Sequence, residues 1–229
     1  PQDLASGRET EQDAGGASEQ PTASAAENRP PARQLTTQEV AALADDLQGE
    51  DLERRRAALT TLATAAADPA PPAVTQRLLE LLSSDDLFTR ITATRAMARW
   101  GNPETVPALI QKLDDPNVAV RQYAVDALIA IRDPSGAEAL VDRWKRLPGM
   151  GVPALMAMGA AAEPAALRLL AHQDPTVRVD GCRILAKIGT RDCTAPLDQR
   201  AEDASPDVQR AARDARERVR ERLEGAATE

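Results

Sequence analysis

The chain has 229 residues, with 28 lysines and arginines against 36 aspartates and glutamates, and a formal net charge of −8. That balance speaks against a surface that grips phosphate backbones, because nucleic-acid binders display a basic stripe. No run of 18 apolar residues offers a membrane span. Phe88, Trp100, Tyr123 and Trp144 are the only aromatics, so a core must be filled by Leu, Ile, Val and abundant Ala.

Residues 1–35 are rich in Ala, Ser, Gln, Glu, Gly and Pro, with almost no large apolar side chain before Leu35. Such a segment buries too little surface to offset its ordering entropy, and we read it as a disordered acidic tether. The sequence opens on Pro1 without Met. That fits a removed initiator Met, a cleaved export signal or a trimmed chain, and leaves the compartment open between cytoplasmic and exported.

From Thr36 onward the pattern is helical, punctuated by Pro, Gly, Asp and Asn. Thr36 or Thr37 caps a first helix, TQEVAALADDL, which Gly49 ends. A second helix, about 51–66, sets Leu52, Ala58, Leu62 and Ala65 on one face and stops at Asp68, Pro69, Pro71 and Pro72. The second hairpin is predicted at about 72–82 plus 86–100, and the third at about 103–113 plus 116–131. Hairpin four is irregular: its first helix, about 135–147, runs into Leu147-Pro148-Gly149-Met150-Gly151, and only a short VPALMAMG helix follows. It is therefore expected to be the weakest point. Hairpin five covers about 163–172 plus 175–189. Hairpin six covers about 192–202 plus 206–223, where Val208, Ala212, Ala215 and Val219 form one narrow apolar stripe amid alternating arginines and acids. That is the pattern of a terminal cap. Residues 225–229 read as a disordered tail.

The hairpins are worn copies of one another. At an offset of 31 residues Arg121 falls on Arg90, Leu113 on Leu82, Leu128 on Met97 and Ile131 on Trp100. A period in this range, made of two amphipathic segments, marks stacked helical hairpins. The block V-P-A-L-I-x-x-L-D-D-P-N-V-x-V-R-x-x-A-V-x-A-L-x-x-I at 106–131, echoed by DPTVRVDGCRILAKIG at 174–189, resembles the short HEAT-like repeats of phycobilin-lyase type. The resemblance spans roughly 36–224. It implies an all-α fold, an armadillo-like, right-handed α-solenoid of about six hairpins. It is nearly silent on activity, since such proteins include lyases, hydroxylases, DNA glycosylases and plain scaffolds.

Candidate chemistry is sparse. The iron-dependent hydroxylases of this build would need several His-Glu pairs, and this chain has one histidine, His172, which reads as a polar residue at a helix end. His172, Cys182 and Cys193 lack finger-like spacing for zinc, and the two cysteines are expected as free, buried thiols. Trp100 and Trp144 fall in core columns, which argues against a base-flipping pocket. There is no G-x-S-x-G and no G-x-x-x-x-G-K. The pairs Asp45-Asp46, Asp85-Asp86 and Asp114-Asp115 sit near helix ends as turn and capping acids. Arg55, Arg90, Arg121 and Arg178 share one column; the resemblance implies a structural Asp/Arg ladder, with Asp115 and Asp174 as partners. A phycobilin-lyase-like, chromophore-handling enzyme is the alternative reading, with few aromatics to line a tetrapyrrole site.

The expected function is therefore a non-enzymatic scaffold, with no catalytic, cofactor or metal residues assigned. HEAT-like arrays bind along a concave face lined by their second helices. Turning those helices at 100° per residue places two columns on that face: Arg56, Ile91, Gln122, Val179 and Arg210, and Thr60, Arg95, Asp126, Arg183 and Asp214. Mixed charge with exposed Ile91 and Val179 suits a protein or peptide partner. Neither nucleic acid nor membrane insertion is expected, and the chain reads as a monomer.

Overall fold

A computed structural model describes residues 33–66 and 71–225. Among them, six helical hairpins follow in order: α1 (Thr37–Gln48) with α2 (Leu52–Leu62), α3 (Pro72–Leu81) with α4 (Leu87–Trp100), α5 (Val106–Lys112) with α6 (Val118–Ile131), α7 (Pro134–Asp142) with α8 (Gly151–Met158), α9 (Glu163–Leu169) with α10 (Pro175–Ile188), and α11 (Thr194–Arg200) with α12 (Pro206–Gly225). One continuous core runs from Leu35 to Val219, so the hairpins form an α-solenoid in which each covers its neighbour's apolar face. The closest packing between helices is that of α4 on α6 and of α10 on α12, both pairs of second helices. No helix among the described residues is long and apolar enough to cross a membrane.

Local chemistry sets the helix starts. Thr36 closes a capping box: its hydroxyl accepts from Glu39 N at 3.3 Å while the Glu39 carboxylate accepts from Thr36 N at 2.9 Å. Asp51, Asp86, Asn117 and Asp174 cap α2, α4, α6 and α10, each side chain accepting from backbone N–H groups of the first turn.

The array begins earlier than the composition suggests. Helix α2 stops at Leu62 rather than near 66, and the chain beyond it is extended as β2 (Ala65–Ala66), pairing in parallel with β1 (Arg33–Gln34). Leu35 N then donates to Ala66 O at 2.9 Å, and the Leu35 side chain joins the core. Residues 33–35 thus belong with hairpin one. The rest of the segment read as a tether, 1–32, lies outside the described residues, as do 67–70 and 226–229.

Hairpin four departs from its neighbours as its sequence foretold. Helix α7 ends at Asp142, a 3-10 turn at Trp144–Arg146 follows, and α8 has 8 residues where α4, α6 and α10 have 14. Gly149 and Gly159 flank α8 at φ of 76° and 68°, conformations that a Cβ would strain. Trp144 packs against Gly151, half-buried at the edge of the core. At the far end, α12 buries Val208, Ala212, Ala215 and Val219, the predicted stripe. Its 20 residues outrun the repeat, and the extra length carries Arg222 to the end of α10. There the guanidinium donates to Ala186 O at 2.7 Å, Lys187 O at 3.0 Å and Gly189 O, satisfying carbonyls that a helix end leaves open. Trp100 Nε1 does the same for Leu62 O of α2, at 2.7 Å.

Because α6 and α10 are joined through the short α8, nearest-neighbour coupling is weakest there. Amides of 147–153 are expected to exchange with deuterium before those of α6. Equal protection in the two segments would show that α8 couples its neighbours as strongly as a full-length helix.

Candidate partner-binding face

The arginine column is structural, and it recurs across the turns between paired helices. Arg55 donates to Gly49 O at 2.6 Å, Arg90 to Ser84 O at 2.7 Å, Arg121 to Asp115 O at 2.8 Å and Arg178 to His172 O at 2.8 Å. Gln209 repeats the contact with Asp203 O at 2.7 Å. Each reaches back six residues and ties the second helix to the turn that precedes it. The accepting residues also brace that turn with their side chains: Asp115 accepts from Asn117 N, His172 Nδ1 from Asp174 N and Asp203 from Ser205 N. His172 therefore stands in for an aspartate.

Spare guanidinium N–H groups extend to the next hairpin. Arg90 meets Asp115 at 3.0 Å and Arg178 meets Asp203 at 2.8 Å, both largely buried. The expected partner Asp115 is thus in place. Asp174 is not Arg178's partner; it is consumed as the α10 cap, and Asp203, one hairpin further on, takes the role. Between hairpins three and four the polarity reverses: Asp114 accepts from Arg143 at 2.8 Å and Arg146 at 3.0 Å, and Arg146 lies 31 residues after Asp115, where the ladder would place a carboxylate. The hydrogen bond from Arg143 holds the Asp114 carboxyl below the usual range. Asp86 caps α4 and pairs with Arg56 at 3.3 Å. Of the paired acids, Asp86 is thus a cap, Asp114 a bridge and Asp115 both a turn and a bridge group.

All ten residues of the two columns lie on second helices, from Arg56 and Thr60 on α2 to Arg210 and Asp214 on α12. Thr60, Arg95, Arg183, Arg210 and Asp214 are exposed, while Arg56, Gln122 and Asp126 are half-buried, with Gln122 Nε2 donating to Asp126 at 3.3 Å. Ile91 and Val179, expected to be exposed, are half-buried. The exposed large apolar side chains are instead Leu52, Leu87, Phe88 and Val118. Leu52, Leu87 and Val118 each open a second helix, a column the repeat alignment already contained. The Arg56 guanidinium lies 5.3 Å from the Phe88 ring centroid, and that of Arg95 lies 5.8 Å from Tyr123.

Structure brings four of the ten together. Val179, Arg183, Arg210 and Asp214 line one cleft of about 510 Å³ between α10 and α12, over a floor that includes Ala211 and Ala215. Burial pushes the Asp180 carboxyl on its wall above the usual range, with Arg183 at 3.6 Å opposing that shift. No three His, Cys, Asp or Glu side chains among the described residues are grouped to hold a metal ion. Trp100 is buried in the core. Cys182 and Cys193 are free and buried, and burial pushes both thiols up to about 11.

Two expectations follow. Asp203 is held below the usual carboxylate range chiefly by the Arg178 hydrogen bond. Its stabilising contribution is thus present above about pH 4 and fades as pH falls through the lowered folded value. Asp203→Asn should cost about 3 kcal/mol near neutral pH by stranding Arg178, and the gap to the parent protein should narrow on acidification in chemical denaturation. Equal stability at neutral pH would remove the pair from the ladder's energetics. The second expectation is that neither thiol reacts with a disulfide reagent near pH 8 in the folded protein and both react on unfolding.

Comparison with known proteins places these repeats. Residues 75–149 match the family model for HEAT repeats. No curated protein matches the chain. Among solved structures, the complex of CpcE and CpcF of phycocyanin lyase from Nostoc sp. PCC7120 is 23% identical with a TM-score of 0.48, over 80% of this chain and 76% of that one. A designed armadillo repeat protein in complex with the peptide (KR)4 is 18% identical with a TM-score of 0.48, over 79% of this chain and 99% of that one. An engineered protein is 22% identical with a TM-score of 0.48, over 80% and 96%. The segment similar to HEAT repeats, residues 75–149, thus lies within a longer α-solenoid of helical hairpins.

Proposed function

We propose that the chain is a non-enzymatic interaction scaffold that holds a protein or peptide along the concave face of its second helices. The observation that supports this reading is the cleft between α10 and α12, where four positions taken from the repeat geometry line a single opening. Its walls carry Arg183, Arg210 and Arg218 beside Asp180, Asp207 and Asp214, over small apolar residues. Balanced charge around an apolar floor suits a polypeptide bearing both signs and an apolar anchor. Arg56, Thr60, Ile91, Arg95, Gln122 and Asp126 extend the same mixed chemistry along the array. Acids interleaved with the arginines oppose a phosphate backbone, so nucleic acid is not the proposed partner. The charged outer face of α12 opposes end-to-end stacking of copies, and we take the working unit as a monomer.

The test uses the full chain as bait beside a triple variant, Arg95→Glu, Arg183→Glu and Arg210→Glu, all exposed. A partner polypeptide recovered by the parent protein should bind the variant about tenfold or more weakly, at unchanged helicity, because charge reversal opposes a complementary surface. Equal capture by both baits would overturn the concave-face reading. Transfer of a bilin to an acceptor protein by the purified chain would overturn its non-enzymatic part.

A further inference from the structure

The helix pairs α4/α6 and α10/α12 are copies at an offset of 88 residues: Arg95 corresponds to Arg183, Asp126 to Asp214 and Ala127 to Ala215. One difference is large. Tyr123 on α6 corresponds to Ala211 on α12. In the first pair the Tyr123 ring is half-buried on the second-helix face, with the Arg95 guanidinium 5.8 Å from its centroid. In the second pair the guanidinium remains and the ring is gone. Arg183 and Ala211 both line the cleft of about 510 Å³, and the nearest ion-pair contact of Arg183 is a loose one to Asp180 at 3.6 Å. The α2/α4 pair repeats the motif with other residues, since Arg56 lies 5.3 Å from the Phe88 ring. In two grooves an arginine of the earlier helix thus covers a ring from the later helix; in the third it covers open space.

We propose that the α10/α12 cleft receives a tyrosine side chain presented by a partner polypeptide, occupying the place that Tyr123 fills in the copy between α4 and α6. The proposal rests on the scaffold reading and gives it a chemical anchor. Charge complementarity supports the occupant. The face of an aromatic ring is negative and attracts the Arg183 guanidinium, while its apolar body covers Ala211 and Ala215. The Asp180 and Asp214 carboxylates offer acceptors for the phenolic hydroxyl. Desolvation of Asp180, already visible in its raised pKa, favours gaining such a donor. None of the four aromatics of residues 1–229 fills the cleft. Trp100 is buried, Tyr123 and Trp144 are half-buried in their own hairpins, and residues 1–32 contain no aromatic. A second copy has only Phe88 to offer, at 44% exposure.

The experiment is selection of a random-peptide phage library on the full chain, with the selected peptides then titrated as synthetic peptides against Ala211→Tyr and Arg183→Met. Selected peptides should share a tyrosine whose replacement by alanine abolishes binding. Ala211→Tyr, which rebuilds the ring of the α4/α6 copy, should weaken them about tenfold or more. Arg183→Met, an exposed change that leaves packing intact, should weaken them roughly three- to thirtyfold. Peptides that bind the parent protein without a shared ring, or equally to both variants, would overturn this inference and leave the scaffold reading standing. Failure to select any peptide would overturn this inference, while the scaffold reading, which also admits a folded partner, stands or falls with the bait experiment. A dimer of the parent protein lost in both Phe88→Ala and Ala211→Tyr would assign the cleft to a second copy instead.

Discussion

The array depends on one hydrogen bond made five times: a side chain near the start of a second helix donates back to the carbonyl six residues earlier, at the turn between paired helices. Turn carbonyls at the rim of a core cannot all be left to water, and an unsatisfied one costs about 1–3 kcal/mol. Fixing that turn sets the angle at which the two helices of a hairpin meet. The angle decides which side chains face the core and which face away from it. Arginine suits the position because its fork has donors to spare, so one group both closes its own turn and reaches the neighbouring hairpin. At Gln209 the amide closes the turn of its own hairpin through the same contact.

Much of this was legible in the sequence. The offset between Arg90 and Arg121 located the hairpins, the acid pairs read as turn and capping groups included the α4 cap Asp86, and the stripe from Val208 to Val219 is the one that α12 buries. What escaped has physical reasons. The β1/β2 pair is two residues long on each side and carries no periodicity. Asp174 was named as a ladder partner because it is the acid nearest that turn, but its carboxylate is taken up as the α10 cap, and the guanidinium of Arg178 reaches the turn of the next hairpin, at Asp203. The reversed bridge from Asp114 to Arg143 and Arg146 lies where the repeat loses register, so no column could be read there. Ile91 and Val179 were placed on the correct helices, but helical phase alone does not say how far each is exposed. The placement of both columns on second helices followed from the repeat alignment and 100° of turn per residue. The cleft did not, because it arises from a contrast between copies, Tyr123 against Ala211, rather than from anything they share.

Each seam between hairpins carries its own carboxylate–guanidinium contact, and only the second and the fifth are built alike. Arg56 meets Asp86 across the first seam and Arg90 meets Asp115 across the second. Asp114 meets Arg143 and Arg146 across the third, Asp142 meets Arg168 across the fourth, and Arg178 meets Asp203 across the fifth. The exposed pairs add little to stability, and the buried ones are offset by desolvation. Their variety matters in another way. Hairpins of near-identical shape docking on the wrong neighbour is a characteristic failure of repeat proteins. Were hairpin two to stack on hairpin five, Arg90 would meet His172 in the place of Asp115, and were hairpin three to do so, Asp114 would lose both arginines. A buried guanidinium without its acid is far costlier than the correct pair is favourable. The irregularity of hairpin four thus acts as a marker of position: the seams on either side of it accept one order of assembly, and a chain that looks like a row of interchangeable units is folded as a fixed series.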